Sequence, residues 1–419
     1  MPASHSSAIS KRSTQRSTKA ACLYLAIGLT VAMMFAPMAT AQNYKVLYSF
    51  TGGEDGADPE AGLTMDVAGN LYGTAAVGGY HGGSCSDYGG CGTVFKLSPG
   101  ASGWHLTPLY HFTDSPDGKW PTTRVVFGPD GSLYGTTVNG GLPGCGYGCG
   151  TVFNLRPPAT ACKVAPCGWN ETPIYRFKGK IDGNPTGEPV FDHAGNIYGN
   201  AGSVFELVRS NEGWIEKILY IFEGLHDGYG PAALTIDDSG NLYSTCGHGG
   251  AYGFGTAFQL TPSGSGWQEN ILHNFEGGAD GEYPIAGLTL DPAGNLYGGT
   301  QSGSVFELRS SNGNWIFGVV YTLDGEEVSA NLTRDTAGNF YGVSWFGGAY
   351  NQGAVYKLTN SGGTWTYTSL HDFTGGSDGA QPTGIVILDG SGNLYGTAAA
   401  GGLTDCGSLW CGVVWEITP

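Results

Sequence analysis

One phrase recurs seven times along this chain after its first forty-odd residues: a short apolar run, a turn of the form D-x-x-G-N, then a large apolar residue and a tyrosine. The tyrosines are Tyr72, Tyr134, Tyr198, Tyr243, Tyr297, Tyr341 and Tyr395. A unit of this size is one supersecondary element that cannot bury its apolar faces alone, so the repeat constrains the architecture before any local propensity does.

Each unit holds four strand-like runs, clearest in the first: GLTMD at 62–66, NLYGTA at 70–75, GTVFKL at 92–97, and the run from Trp104 to Phe112. We name them A, B, C and D. The A-to-B link reads as a tight hairpin in which Gly69 takes a positive φ and Asp66 accepts backbone amide hydrogens. The same chemistry recurs at Asp192, Asp237, Asp291, Asp335 and Asp389, while unit two carries Gly128 and Ser132 in the Asp and Asn places. The strand-B tyrosines and these turn aspartates are therefore expected to serve the scaffold. Strand C is apolar on both faces (Val94, Phe95, Leu97), as a sheet covered on both sides requires. Strand D brings a tryptophan and aromatic pairs, as from Trp214 to Phe222. No segment has a sustained helical period, and 74 glycines and 21 prolines punctuate the strands, so the class is all-β.

Four-stranded units repeated radially make a propeller. The chain after residue 41 opens with a D-type strand, KVLYSF at 45–50, and ends with a C-type strand, VVWEI at 413–417. Seven complete blades result if the first strand completes the last blade, which also removes the free sheet edges of an open array. The expected fold is a seven-bladed β-propeller of four-stranded antiparallel blades over 42–419. Intervals between the tyrosines are 62, 64, 45, 54, 44 and 54 residues, and the variation falls in loops, mainly between strands B and C. Such loops on a constant scaffold are where binding usually resides.

Residues 1–41 read as a secretory leader: Lys11, Arg12, Arg16 and Lys19 precede an apolar stretch from Ala20 to Ala36, and Ala39-Thr40-Ala41 is a small-x-small cleavage site. Removing them takes the net charge from −17 to −21. That acidity disfavours nucleic acid and anionic membrane surfaces as partners, and no later stretch is apolar and long enough to insert in a bilayer. The expectation is a secreted, periplasmic or cell-surface monomer. Nine cysteines follow the leader. Eight form close pairs read as local disulfides, Cys85 with Cys91, Cys145 with Cys149, Cys162 with Cys167, and Cys406 with Cys411, leaving Cys246 over. Zinc is the competing reading, but no histidine stands at ligand spacing.

The phrase LYSFTGGEDGADPEAGLTMDVAGNLYGT followed by GTVFKL resembles the GloVer tandem repeat, the Gloeobacter and Verrucomicrobia type repeat of bacterial exported and cell-surface proteins. The resemblance covers nearly the whole chain after the leader. Units one, five and seven fit most fully, and unit six departs by losing G-G-x-D-G-x-x-P around Asp324. It implies a surface module and brings no catalytic residues. D-x-x-G-N-L-Y is also similar, more loosely, to the NHL and gluconolactonase-like propellers.

In a four-stranded blade the B-to-C and D-to-A links open on one face. On the D-to-A side stand the Asp-Gly pairs at Asp55, Asp117, Asp182, Asp227, Asp280 and Asp378. They read first as turns between blades. The alternative is a calcium site, since that ion takes several oxygen ligands. The B-to-C links hold Tyr80, His81, Tyr88, Tyr147, His248, Tyr252, Phe254, Trp345, Phe346, Tyr350 and Trp410. Aromatic rings beside acids and amides suit sugar faces or peptide side chains, although each ring could instead pack over the loop. His111, His273 and His371 lie in strand D beside aromatics, where packing is expected. H-E-x-x-H and a Walker loop are both absent. The first functional expectation is thus noncatalytic recognition of a glycan or extracellular protein, with no cofactor unless calcium. The alternatives are a metal-assisted lyase or hydrolase on sugars or lactones using His81 or His248, and a structural surface role.

Overall fold

Seven antiparallel sheets follow one another between Asn43 and Thr418, a stretch that forms one unit. The computed structural model describes residues 42–143, 149–158, 168–179, 182–264, 266–402 and 411–418. In blade one the strands are Thr64–Met65, Leu71–Ala75, Thr93–Gly100 and Gly103–His111, paired in that order. The other blades repeat the A-B-C-D order. Strand A is shorter than its apolar run suggests, only two residues in each blade, because the residues before it face a central cavity instead of a partner strand.

The ring closes as the terminal half-blades require. Asn43–Ser49 pairs antiparallel with Val413–Thr418, placing Val46 opposite Trp415 and Tyr48 opposite Val414, so the last sheet runs A-B-C from the end of the chain and D from its start. At the axis the same joint is made by the Thr397 hydroxyl donating to the Ala61 carbonyl at 2.8 Å and that of Thr383 to the Glu60 carbonyl at 2.6 Å.

The apolar core lies between blades rather than within one. Tyr72, Val94 and Phe112 of blade one pack with Leu133, Phe153 and Leu155 of blade two, while Phe95 and Leu97 turn the other way, onto Phe50 and Val414 of blade seven. Alternate residues of strand C thus feed two different cores, which is why that strand is apolar on both faces.

The A-to-B turn works as read. Gly69 has φ 78°, and Asp66 accepts from the Ala68 and Asn70 amides, each at 2.9 Å, from Asn70 Nδ2 at 2.7 Å and from the Tyr72 hydroxyl at 3.1 Å. In unit two Asp130 takes over: its Oδ1 accepts from the Ser132 amide and hydroxyl, and its Oδ2 from Tyr134 and Arg156. A carboxylate kept on one side of the turn, two positions along, replaces one lost from the other.

The glycine after six of the seven strand-B tyrosines, all but Tyr243, has a packing role that the repeat pattern does not reveal. A Cβ on Gly73 would lie 2.6 Å from Phe95 Cζ, and on Gly298 2.5 Å from Phe306 Cζ, so the absent side chain makes room for the strand-C ring. Gly73→Ala should therefore destabilise the fold by about 1–3 kcal/mol through overpacking, read as a lower urea midpoint with unchanged slope. An unchanged midpoint would mean that the ring has space to yield.

Candidate functional site

The D-to-A and B-to-C links meet on one face, joined by bridges such as Ala57 with Val77, Lys119 with Asn139 and Ala380 with Ala400. In five blades a non-glycine residue at positive φ precedes a buried proline there: Asp58, Trp120, Asn184, Tyr283 and Gln381, with φ between 55° and 58°. Their amides donate to the carbonyls of Cys411, Cys91, Cys149, Phe254 and Gln352, each at the end of the preceding blade's B-to-C link. These bonds hold the left-handed backbone, which non-glycine residues seldom adopt, and stitch neighbouring blades together.

Each Asp-Gly aspartate serves its own turn. Asp117 accepts from the Thr113 amide at 3.0 Å and hydroxyl at 2.8 Å and from the Tyr110 hydroxyl at 2.7 Å. Asp55 repeats this with Thr51 and Tyr48, and Asp182 accepts from the Lys178 amide. Asp227 takes the Glu223 and Gly224 amides, both at 2.8 Å, and the Tyr220 hydroxyl at 3.1 Å. Asp280 and Asp378 pair instead with His273 at 3.0 Å and His371 at 3.1 Å. Those two rings stack on Phe317 and Tyr44, and burial, opposed by the aspartates, holds both imidazoles below their ordinary pKa. None of the six aspartates lines the central cavity, and among the described residues no three His, Cys, Asp or Glu side chains gather as a metal site.

A third member joins this cluster in three successive seams. Glu171, Glu216 and Glu269, on the next blade's strand D, each keep one buried carboxyl oxygen without a partner. The Tyr220 hydroxyl lies 2.9 Å from Glu269 as well as 3.1 Å from Asp227. One hydroxyl proton cannot serve two carboxylates, so Glu269 is best satisfied protonated. Burial and the charge of Asp117 push Glu171 up to about 8. Burial, opposed by the Tyr220 hydrogen bond and aided by Asp227, pushes Glu269 up to about 7.

The aromatic residues of the B-to-C links are unevenly presented. Tyr80, Tyr252, Phe346 and Tyr350 are 47%, 56%, 42% and 60% exposed, and His81 is exposed. Trp345 is half-buried and stacks on Phe346, while His248 ends strand B of blade four, stacked on Tyr229 and tilted against Tyr283. His81 and His248 belong to blades one and four. Tyr147, Trp410 and the side chain of Tyr88 lie outside the described residues, as do Cys145, Cys162, Cys167 and Cys406. Cys85 and Cys91 form a disulfide with Cα atoms 5.0 Å apart, Cys149 and Cys411 are also disulfide-bonded, and Cys246 is buried and free.

Two features escape the repeat pattern. Blade four has a fifth strand, because Tyr229–Pro231 of its D-to-A link pairs with the long strand B, Leu242–His248. The available signal was residue identity, since Leu225 and Tyr229 stand at the same spacing where blade one has Gly53 and Ala57. The second is the central cavity, about 130 Å³, to which every blade contributes residues from just before strand A. Arg124 in its lining reaches Glu188 of the next blade through two bonds of 2.7 and 3.1 Å. Near it, burial and the charge of Glu60 push Asp58 up to about 8, and burial raises Glu60 itself. No helix among the described residues is long and apolar enough to cross a membrane.

Solved structures share this fold at low identity. The extracellular domain described as that of a hybrid two-component system from B. thetaiotaomicron is 11% identical at TM-score 0.55, covering 89% of this chain and 39% of that one. A chain of a mitotic checkpoint complex is 13% identical at TM-score 0.53, with 91% and 94% covered. A gluconolactonase from Xanthomonas campestris reaches 13% identity and TM-score 0.42 over 77% and 89%, too distant to bear on chemistry. No curated protein matches by sequence. The Gloeobacter/Verrucomicrobia repeat model matches residues 33–201, 159–313 and 301–419, nearly all of the propeller, and the chain belongs to that repeat family.

Proposed function

We propose that the protein is an exported, noncatalytic recognition module that holds an extracellular glycan or protein against its loop-rich face. One observation carries this reading: the large apolar side chains exposed on the D-to-A and B-to-C links, Tyr80, Leu225, Tyr229, Tyr252, Phe346 and Tyr350, stand on backbone fixed by turns, bridges and a disulfide. Rigid aromatic anchors with little conformational entropy to lose are what binding energy concentrates on. The six Asp-Gly aspartates, which could hold a metal, are engaged in their own turns instead. Export is supported by the leader-like first 41 residues and by the disulfide-bonded cysteines.

The test is capture on glycan and peptide arrays by the chain from Gln42, with and without chelator. Wild-type protein should retain a ligand, and the triple variant Tyr80→Ala, Tyr252→Ala, Tyr350→Ala should lose at least about tenfold in affinity. Loss of capture in chelator would bring calcium and the six turn aspartates back into the account. Capture of no glycan and no peptide would overturn the reading.

A further inference from the structure

Blade four carries a second element of the loop-rich face that the repeat does not predict. An open pocket of about 540 Å³ lies between its D-to-A and B-to-C links, walled by Phe222, Leu225 and Tyr229, floored by three glycines of the B-to-C link, and edged by Glu223. That volume falls in the range of small-ligand sites. We infer that this pocket receives a cationic side chain, arginine or lysine, of a protein ligand. The inference rests on the recognition reading above and narrows it to one place and one chemistry.

The lining decides the class. Leu225 is 79% exposed and Tyr229 54% exposed even though one side of its ring stacks on His248, so an apolar wall and an aromatic ring stay open to a ligand. The only ionisable side chains of the lining are the Glu223 carboxylate and the Tyr229 phenol. A sugar brings a hydroxyl on almost every carbon, and two polar side chains leave most of those unpaired, each at the cost of desolvation. An anion meets Glu223 and a chain of net charge −17. A guanidinium or ammonium on an aliphatic stem meets each wall with its match: stem on Leu225 and Phe222, cation over the tyrosine ring, charge against the carboxylate.

The site is also preformed. The Glu223 and Gly224 amides are fixed on Asp227, and Tyr229 is fixed by strand pairing with His248, so little ordering remains on binding. Blades one and seven make the equivalent contact as the bridges Ala57 with Val77 and Ala380 with Ala400, but Leu225 and Tyr229 stand where those blades have Gly53 and Ala57, and Gly376 and Ala380. The pocket is thus specific to one place on a ring that is otherwise repeated.

The experiment compares peptides that differ only in arginine against citrulline, or lysine against acetyl-lysine, on the chain from Gln42. Arginine or lysine peptides should bind at least tenfold more tightly than their neutral counterparts. Glu223→Gln, an exposed substitution, should erase that preference with an unchanged melting temperature, and Tyr229→Phe should retain it whereas Tyr229→Ala weakens binding. Val67→Ala, an exposed position in the A-to-B turn of blade one, should leave it intact. Equal binding of charged and neutral peptides, or a preference untouched by Glu223→Gln, would overturn the inference while leaving recognition by the face standing. So would a neutral sugar captured in a way that depends on Tyr229 but not Glu223. Absence of any captured ligand would overturn both readings.

Discussion

A chain that begins at Phe50, without Asn43–Ser49, is expected to lose its cooperative melting transition and to elute as oligomer or aggregate. The missing segment supplies the whole of strand D in blade seven, with Asn43, Tyr44, Lys45, Val46, Tyr48 and Ser49 in register against Val413–Thr418. Its removal bares the edge of a central strand and uncovers the cluster around Trp415, onto which Tyr44 and Val46 pack. Leu47, with Tyr48 packed beside it, belongs to the next interblade core, so two of the seven cores are opened at once. Trp415 is fully buried, and Trp415→Ala alone should cost about 3–5 kcal/mol. Adding a peptide of residues 43–49 to the truncated chain should restore the transition in part. A truncated monomer that melts like the intact chain would show that closure contributes nothing to stability.

Raising the pH from 5.5 to 8 should lower the melting temperature. Glu171 and Glu269 titrate in the fold at about 8 and about 7 against an ordinary 4.5, and Asp58 at about 8 against 3.8. Between those values the folded chain keeps protons that the unfolded chain has released, so stability falls as pH rises. At the acid end the sign reverses. The hydrogen bonds from Asn70, Asn339, Asn393 and Ser132 outweigh partial burial and hold Asp66, Asp335, Asp389 and Asp130 below the ordinary carboxylate range. Their contribution is present above that range and lost as pH falls through their folded values. His273 and His371, depressed by burial, also favour the fold above their ordinary 6.5, but each is opposed by its aspartate. Scanning fluorimetry from pH 3 to 9 should show a mildly acidic optimum, and Glu171→Gln with Glu269→Gln should flatten its alkaline side. A melting temperature that climbs steadily from pH 5 to 8 would contradict the protonated seams.

The ring was readable because the signals that define it are local and repeated. Asp66, Gly69 and Asn70 specify their hairpin from within five residues, and the unpaired strands at 45–50 and 413–417 can be matched by counting alone. The candidate site was less legible. Glu223, Tyr229 and His248 come together through a pairing between two separate links, which no local pattern encodes. The same limit hides Glu188, whose partner Arg124 lies 64 residues away in the neighbouring blade. The Asp-Gly pairs were visible as a set, but whether their oxygens faced a ligand or their own amides depends on the direction of the side chain, which spacing does not contain.

Asp58, Trp120, Asn184, Tyr283 and Gln381 share one backbone pose ahead of a proline, held by a main-chain bond that ignores side-chain identity. An acid, two amides, an indole and a phenol already occupy these equivalent pedestals. Side chains at these joints are therefore free to vary, one codon at a time, without rebuilding any loop.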